Sequence, residues 1–195
     1  KKAGVDEVVG IGMGEGGGFK TGNKKIAACL LALASLQLPK GTKVITPACT
    51  FSTTLAPIIQ LGLIPIFVDV DLDTYCVNTK ELLSVIDKDV KALMIPNLIG
   101  NKPDWKAIKD GLVKMGREDI ILIEDSADTV TCTLETDIST TSFYASHVIT
   151  AGGSGGMVMF NEEKYRNVSL QFRDWGRIGD NSEDMSDRFN HKVDP

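Results

Sequence analysis

No stretch of this 195-residue chain reaches the 18 or more consecutive apolar residues of a membrane-spanning helix, and no signal peptide is expected. Cysteine is sparse. Cys29, Cys49, Cys76 and Cys132 are widely spaced, with no CxxC pair and no neighbouring histidine. That excludes a disulfide framework and a zinc site, and predicts reduced, mostly buried thiols in a cytoplasmic protein. Excess positive charge is missing too: 21 Lys+Arg against 26 Asp+Glu give a net charge of −5 with His neutral. This balance speaks against nucleic acid or an anionic membrane as the main partner. The sequence has no internal repeat and no low-complexity linker. It also lacks an initiator Met, opening on Lys1-Lys2-Ala3-Gly4 and ending on Val193-Asp194-Pro195, which reads as part of a longer protein.

What is there is an ordinary globular composition, 43% apolar and 24% charged. A chain of this length buries roughly 70% of its unfolded surface, enough for a real core. Short β-branched runs alternate with helical spacing. Strands are predicted over 44–46, 64–68, 91–95 and 120–123, and helices over 51–61, 81–86 and 104–115. The strands are nearly all apolar, as required when helices cover both faces of a parallel sheet. The expected fold is therefore a three-layer α/β/α sandwich with a mostly parallel sheet. Residues 26–38 form an almost wholly apolar and hence buried helix. Ser142-Phe143-Tyr144 and residues 157–160 flank a glycine-rich turn, as a hairpin or as two sheet strands. Residues 1–160 make one large domain. The more polar stretch 161–195 extends toward a small domain not contained in the chain.

Ligands of open α/β sheets bind beyond the carboxyl ends of the strands. The segments to watch are 47–54, 69–73, 96–101 and 124–128. A formal GxGxxG at Gly12, Gly14 and Gly17 lacks the ribose-binding acid about 20 residues on, since no carboxylate occurs between Glu15 and Asp69. Gly14 to Thr21 misses a P-loop because Phe19 replaces the required glycine. A flexible loop fits this stretch better. Residues 16–68 hold five lysines, which would suit a phosphate near the start of the first long helix. Glu124-Asp125 ends an apolar strand, so Asp125 either holds a ring nitrogen in the crevice or serves as a cap or loop acid. His147, one of two histidines, is a candidate general acid/base or a structural histidine.

Five blocks, in order and at consistent spacing, carry a family resemblance: KGTKVITPACTFSTTLAPIIQLGLIPIFVDVDLDTY, IPNLIGN, ILIEDSAD, SFYASHVITAGGSGG and FRDWGR. Together they resemble the DegT/DnrJ/EryC1/StrS family of pyridoxal-phosphate (PLP) enzymes, nucleotide-sugar aminotransferases and dehydratases of deoxysugar biosynthesis. The resemblance runs from about residue 26 to 177, about half of a typical member. It implies the large domain of the aspartate-aminotransferase (type I PLP) fold and a homodimer. It places Phe51 on the face of the pyridine ring, Asp125 at the pyridine nitrogen, Asp128 near the phenolic oxygen and Ser142 on the phosphate. The family's phosphate-cupping Gly-Thr/Ser-Ser has no match at Lys25-Ile26-Ala27; Thr21-Gly22-Asn23 replaces it if the alignment slides by three. Its GEGG appears as Gly153-Ser154-Gly155-Gly156.

His147 falls where most of the family has the lysine that binds PLP covalently, a bond that histidine cannot form. One branch resembles the chain here: 4-keto-6-deoxy-sugar 3-dehydratases that use pyridoxamine phosphate (PMP). For that branch the resemblance implies that His147 removes the C4′ proton of the cofactor and assists departure of the C3 hydroxyl. Residues 178–189 contain no cysteine for an iron–sulfur cluster. This resembles the cluster-independent type, which regenerates PMP with glutamate. Two other readings stay open: an aminotransferase with its lysine elsewhere, Lys164 being the nearest downstream, and a non-catalytic relative.

Overall fold

A computed structural model of the protein describes residues 7–11, 24–129, 133–153 and 155–173, the backbone alone for 7–11 and 24–27. The element order is β1 (Glu7–Ile11), α1 (Lys24–Ala34), β2 (Lys43–Pro47), α2 (Ser52–Gln60), β3 (Ile64–Val68), α3 (Thr79–Ser84), β4 (Val90–Pro96), α4 (Trp105–Lys114), β5 (Ile121–Asp125), β6 (Ile138–Ser142), β7 (Gly156–Phe160) and α5 (Glu163–Arg173). One sheet contains all seven strands, ordered β1-β7-β6-β5-β4-β2-β3. Strands β3, β2, β4, β5 and β6 run parallel, and β7 is antiparallel to both β6 and β1.

Side chains alternate along each strand and so sort into two cores. Val44, Ala92, Met94, Ile123, Ile138, Val158 and Phe160 pack with α1 and with Ile58 of α2. Ile45, Leu93, Ile95 and Leu122 pack on the other face with Leu82 of α3 and Trp105, Ile108 and Leu112 of α4. The expected three layers are thus present. Tyr165 and Leu170 of α5 join the α1 side, so the polar stretch beyond residue 160 begins as a helix docked on the main core.

Three local expectations need correction. The first helix stops at Ala34 rather than residue 38: Gln37 adopts a left-handed backbone (φ 49°), the Ser35 hydroxyl donates to Ala32 O, and Pro39 follows. The strand expected at Ser142–Tyr144 is β6, Ile138–Ser142. Its hydroxyl-rich sequence, Ile-Ser-Thr-Thr-Ser, hides a buried strand whose polar groups bond inside the protein. Of the described cysteines only Cys29 is buried, against Thr140. Cys49 is exposed in the loop after β2, and Cys76 is partly exposed in the loop before α3.

Asp137 leads into β6 and ties it to β5. Its Oδ2 accepts the Leu122 N–H at 2.8 Å, and its own N–H donates to Leu122 O. Burial raises the pKa of this carboxyl above the ordinary value, the Leu122 bond only partly opposing it. A carboxyl with a raised folded pKa stabilises most when protonated, and that contribution is lost as pH rises through the folded pKa. Asp137→Asn, whose amide oxygen can still accept from Leu122, should therefore raise stability at neutral pH. It should converge with the parent at acid pH, below the unfolded carboxyl pKa. Urea titrations at the two pH values check this.

Candidate active site

The carboxyl ends of β2, β4, β5 and β6 lie along one edge of the sheet. In register, Pro96 of β4 pairs with Asp125 of β5, and Asp125 with Thr140 of β6. α1 precedes β2, which starts at the opposite edge. The beginning of α1 therefore points toward this same edge, and Cys29 in its second turn meets Thr140. The loop after β2 carries Phe51, the N-terminal flanking residue of α2, which is 61% exposed. One helical turn on, the fully buried Thr54 donates its hydroxyl to Asp125 Oδ2 at 2.8 Å.

Strand alternation gives the two neighbouring acids opposite surroundings. Asp125 follows Ile123 to the α1/α2 side, where Thr54 and, through the spine of β6, Thr140 and Ser142 also lie. Its Oδ1 takes the Ala127 N–H at 3.3 Å. Glu124 follows Leu122 to the α3/α4 side and is fully buried. There Oε1 accepts from Asn97 Nδ2 (2.7 Å) and Thr133 Oγ1 (2.6 Å), and Oε2 from Ser139 Oγ (3.0 Å). The Asn97 amide also reaches Ser126 Oγ and Thr129 Oγ1. This network ties the ends of β4 and β5 to the beginning of β6, next to the turn that holds Asp125 and Asp128.

Ser142 is buried at the end of β6; its Oγ accepts the Tyr144 N–H at 3.3 Å, and among the described residues its own hydroxyl hydrogen has no acceptor. His147 lies in the connection between β6 and β7. Its Nδ1 is 3.3 Å from Asp128 Oδ1, and Tyr144 meets it edge-on at 6.1 Å. Asp128 Oδ2 accepts the Ile99 N–H at 3.2 Å from the 3-10 turn after β4. Five sequence-predicted residues thus share one edge, in two linked pairs, Asp125 with the helix that Phe51 flanks and Asp128 with His147. Sequence reasoning overlooked Thr54, Tyr144 and the Glu124 network. Thr54 stands in the quoted TPACTFSTT block, three residues after Phe51, the spacing of one helical turn.

Lys164 lies at the other edge. Because β7 is antiparallel to β6, Phe160 pairs with Ile138 at the start of β6, and Lys164 follows at the beginning of α5. A five-residue strand, about 17 Å long, separates it from the crevice. Its ammonium pairs with Glu162 at 2.6 Å and lies over the Tyr165 ring.

The glycine-rich stretch 12–18, the near P-loop through Thr21, the alternative phosphate segment Thr21-Gly22-Asn23, Cys132, Ser154 and residues 174–195 with DWGR fall outside the described residues. Among the described residues no helix is long and apolar enough to cross a membrane, and no cluster of three His, Cys, Asp or Glu could hold a metal.

Comparison with known proteins is consistent across sequence and structure. The model of the DegT/DnrJ/EryC1/StrS aminotransferase family matches residues 21–193. The lipopolysaccharide biosynthesis protein RfbH of Salmonella typhimurium is 38% identical over 166 residues, 77% of this chain and 37% of its own length. The dTDP-4-dehydro-2,6-dideoxy-D-glucose 3-dehydratase of Saccharopolyspora spinosa is 34% identical over 171 residues, 80% of this chain and 36% of its own length. The solved structure of E. coli GDP-4-keto-6-deoxy-D-mannose-3-dehydratase with bound hydrated PLP superposes with a TM-score of 0.71 at 28% identity. It covers 84% of this chain and 41% of that one. The chain therefore spans well under half the length of these curated relatives.

Proposed function

Since the chain belongs to the DegT/DnrJ/EryC1/StrS aminotransferase family, we propose that it forms the cofactor-binding part of a PMP-dependent 3-dehydratase acting on a nucleotide-linked 4-keto-6-deoxy sugar. One observation carries the reading: His147, which the resemblance puts at the family's lysine position, stands beside Asp128 on the same sheet edge as Asp125, while Lys164 is on the far edge. That placement disfavours an aminotransferase working through Lys164.

The residues present suit a pyridoxamine ring. Asp125 is a buried carboxylate fixed by Thr54, as a pyridinium nitrogen requires. Phe51 offers an exposed aromatic face, and Ser142 has a hydroxyl hydrogen to give to a phosphate oxygen. When bound, PMP supplies the amine that joins the sugar's C4 carbonyl and the ring that accepts the electron pair left at C4′. In this reading Asp125 keeps the ring nitrogen protonated, Phe51 sets the ring plane, and Asp128 lies beside the phenolic oxygen. His147 takes the C4′ proton and delivers a proton to the C3 oxygen as it leaves.

Glutamate is the proposed amino donor, and the protein is proposed to work as a cytoplasmic homodimer, without nucleic acid or membrane. The apolar side chains exposed beside the crevice, Phe51, Ile99, Tyr144 and Val148, are what a second protomer would cover.

The test combines three measurements on one preparation. PMP should bind non-covalently, seen as a cofactor absorbance band, and Asp125→Ala should weaken that binding by about 10- to 100-fold, the worth of a charge-assisted hydrogen bond. PLP followed by borohydride should leave no lysine adduct. A nucleotide-linked 4-keto-6-deoxy sugar should be released with its C3 hydroxyl replaced by hydrogen, a net loss of one oxygen, with PMP recovered as PLP and its amine as ammonia. A reduced adduct on any lysine would return the protein to the aminotransferases, and no cofactor binding at all would make it a non-catalytic relative.

A further inference from the structure

We propose that Asp128 is a positioning residue that sets the tautomer of His147, a role carried by the hydrogen-bond chain Ile99 N–H, Asp128, His147 Nδ1. The two oxygens of Asp128 have distinct tasks. Oδ2 accepts the Ile99 N–H at 3.2 Å, and Oδ1 faces His147 Nδ1 at 3.3 Å. An ionised carboxylate only accepts, so the nitrogen turned toward it must carry the hydrogen. Neutral His147 is thereby held as the Nδ1–H form, and Nε2 keeps its lone pair as the base. A free neutral imidazole side chain prefers the opposite tautomer, so the protein must impose this one. The backbone of residue 147 is fixed in turn by its amide N–H, which donates to Tyr144 O at 3.0 Å, and the Tyr144 ring meets the imidazole edge-on.

The third member of the chain is strained. Ile99 has φ 50°, and its side chain is 67% exposed, so among the described residues no side-chain packing compels that conformation. A β-branched residue rarely adopts the left-handed region, where its Cβ crowds the backbone. What the geometry gains is an N–H aimed at Asp128. With Oδ2 occupied, the carboxylate has one orientation left, and Oδ1 is turned to His147.

The catalytic meaning of this arrangement rests on the dehydratase reading, but the tautomer does not, which makes the two separable. The protein has only two histidines, His147 and His191. Imidazole nitrogen shifts in protein labelled with ¹⁵N-histidine are therefore assignable by a His191→Gln control. At a pH where both rings are neutral, His147 should show a protonated Nδ1 and an unprotonated Nε2. Asp128→Asn should reverse this. The Ile99 N–H claims the amide oxygen, the NH₂ then faces Nδ1, and the hydrogen moves to Nε2. Asp128→Ala should relax to the ordinary Nε2–H form. With PMP and keto sugar, Asp128→Asn should lower kcat by about 100-fold or more while leaving KM within about threefold. A wild-type His147 protonated at Nε2, or an Asp128→Asn variant that keeps Nδ1–H, would overturn the inference. The expected tautomers in a protein that dehydrates no sugar would uphold it and overturn the dehydratase reading instead.

Discussion

His147→Lys should become a protein that PLP labels covalently, with an absorbance band that borohydride bleaches and a mass adduct on residue 147. Its dehydratase turnover should fall by about 10³-fold. The magnitude follows from general acid–base catalysis, which contributes roughly 10²–10⁴ when the group is positioned. Imidazole exchanges protons near neutral pH, whereas a lysine amine, with a reference pKa of about 10.4, stays charged unless its surroundings depress it. Position 147 lies on the crevice edge beside Asp128, in the connection that follows β6. A four-carbon amine placed there reaches toward the same space as the imidazole. Absorbance, reduction and peptide mass mapping read the gain, and product analysis reads the loss. Undiminished dehydration by this variant would remove His147 from the proposed chemistry.

The largest stability effect should come from Glu124→Ala, a loss of about 3–4 kcal/mol in urea unfolding. The carboxylate is fully buried and receives hydrogen bonds from Asn97, Thr133 and Ser139. Bonds to a charged acceptor are worth about 1.5–3 kcal/mol each, and truncation leaves a cavity besides. The desolvation cost of the charge itself offsets part of this. Glu124→Gln keeps the volume and one acceptor, and the Ser139 hydroxyl can turn to accept from the new amide, so its cost should be about 1 kcal/mol. Equal losses for the two variants would mean that the carboxylate's hydrogen bonds alone, and not packing, account for the effect. Fluorescence-monitored urea titration separates these outcomes.

The chain of apolar runs was readable because the parallel strands β2, β4 and β5 are buried on both faces and so carry Val, Ile and Leu almost without break. Strand β6 was not. Every residue after Ile138 is a hydroxyl amino acid, and such residues look like loop until their partners are known. Those partners, Glu124, Cys29 and Ser126, come from remote parts of the chain, which periodicity cannot see. The site was legible as a set of positions after strands, together with the five family blocks. The Asp128–His147 contact was not, since it depends on how the connection after β6 folds back over the turn after β5.

Glu124 and Asp125 are adjacent acids that cannot trade places, which turns β5 into a frame that admits no insertion or deletion. Shifting the strand by one residue would drive the shorter carboxylate into the hydroxyl cage built around Glu124. A shift in the opposite direction would present the longer one to Thr54, one methylene too far out to meet it as Asp125 does. Lineages of this chain are therefore free to lengthen or shorten it in the connecting loops, while the spacing from Ile121 to Asp125 must be inherited intact.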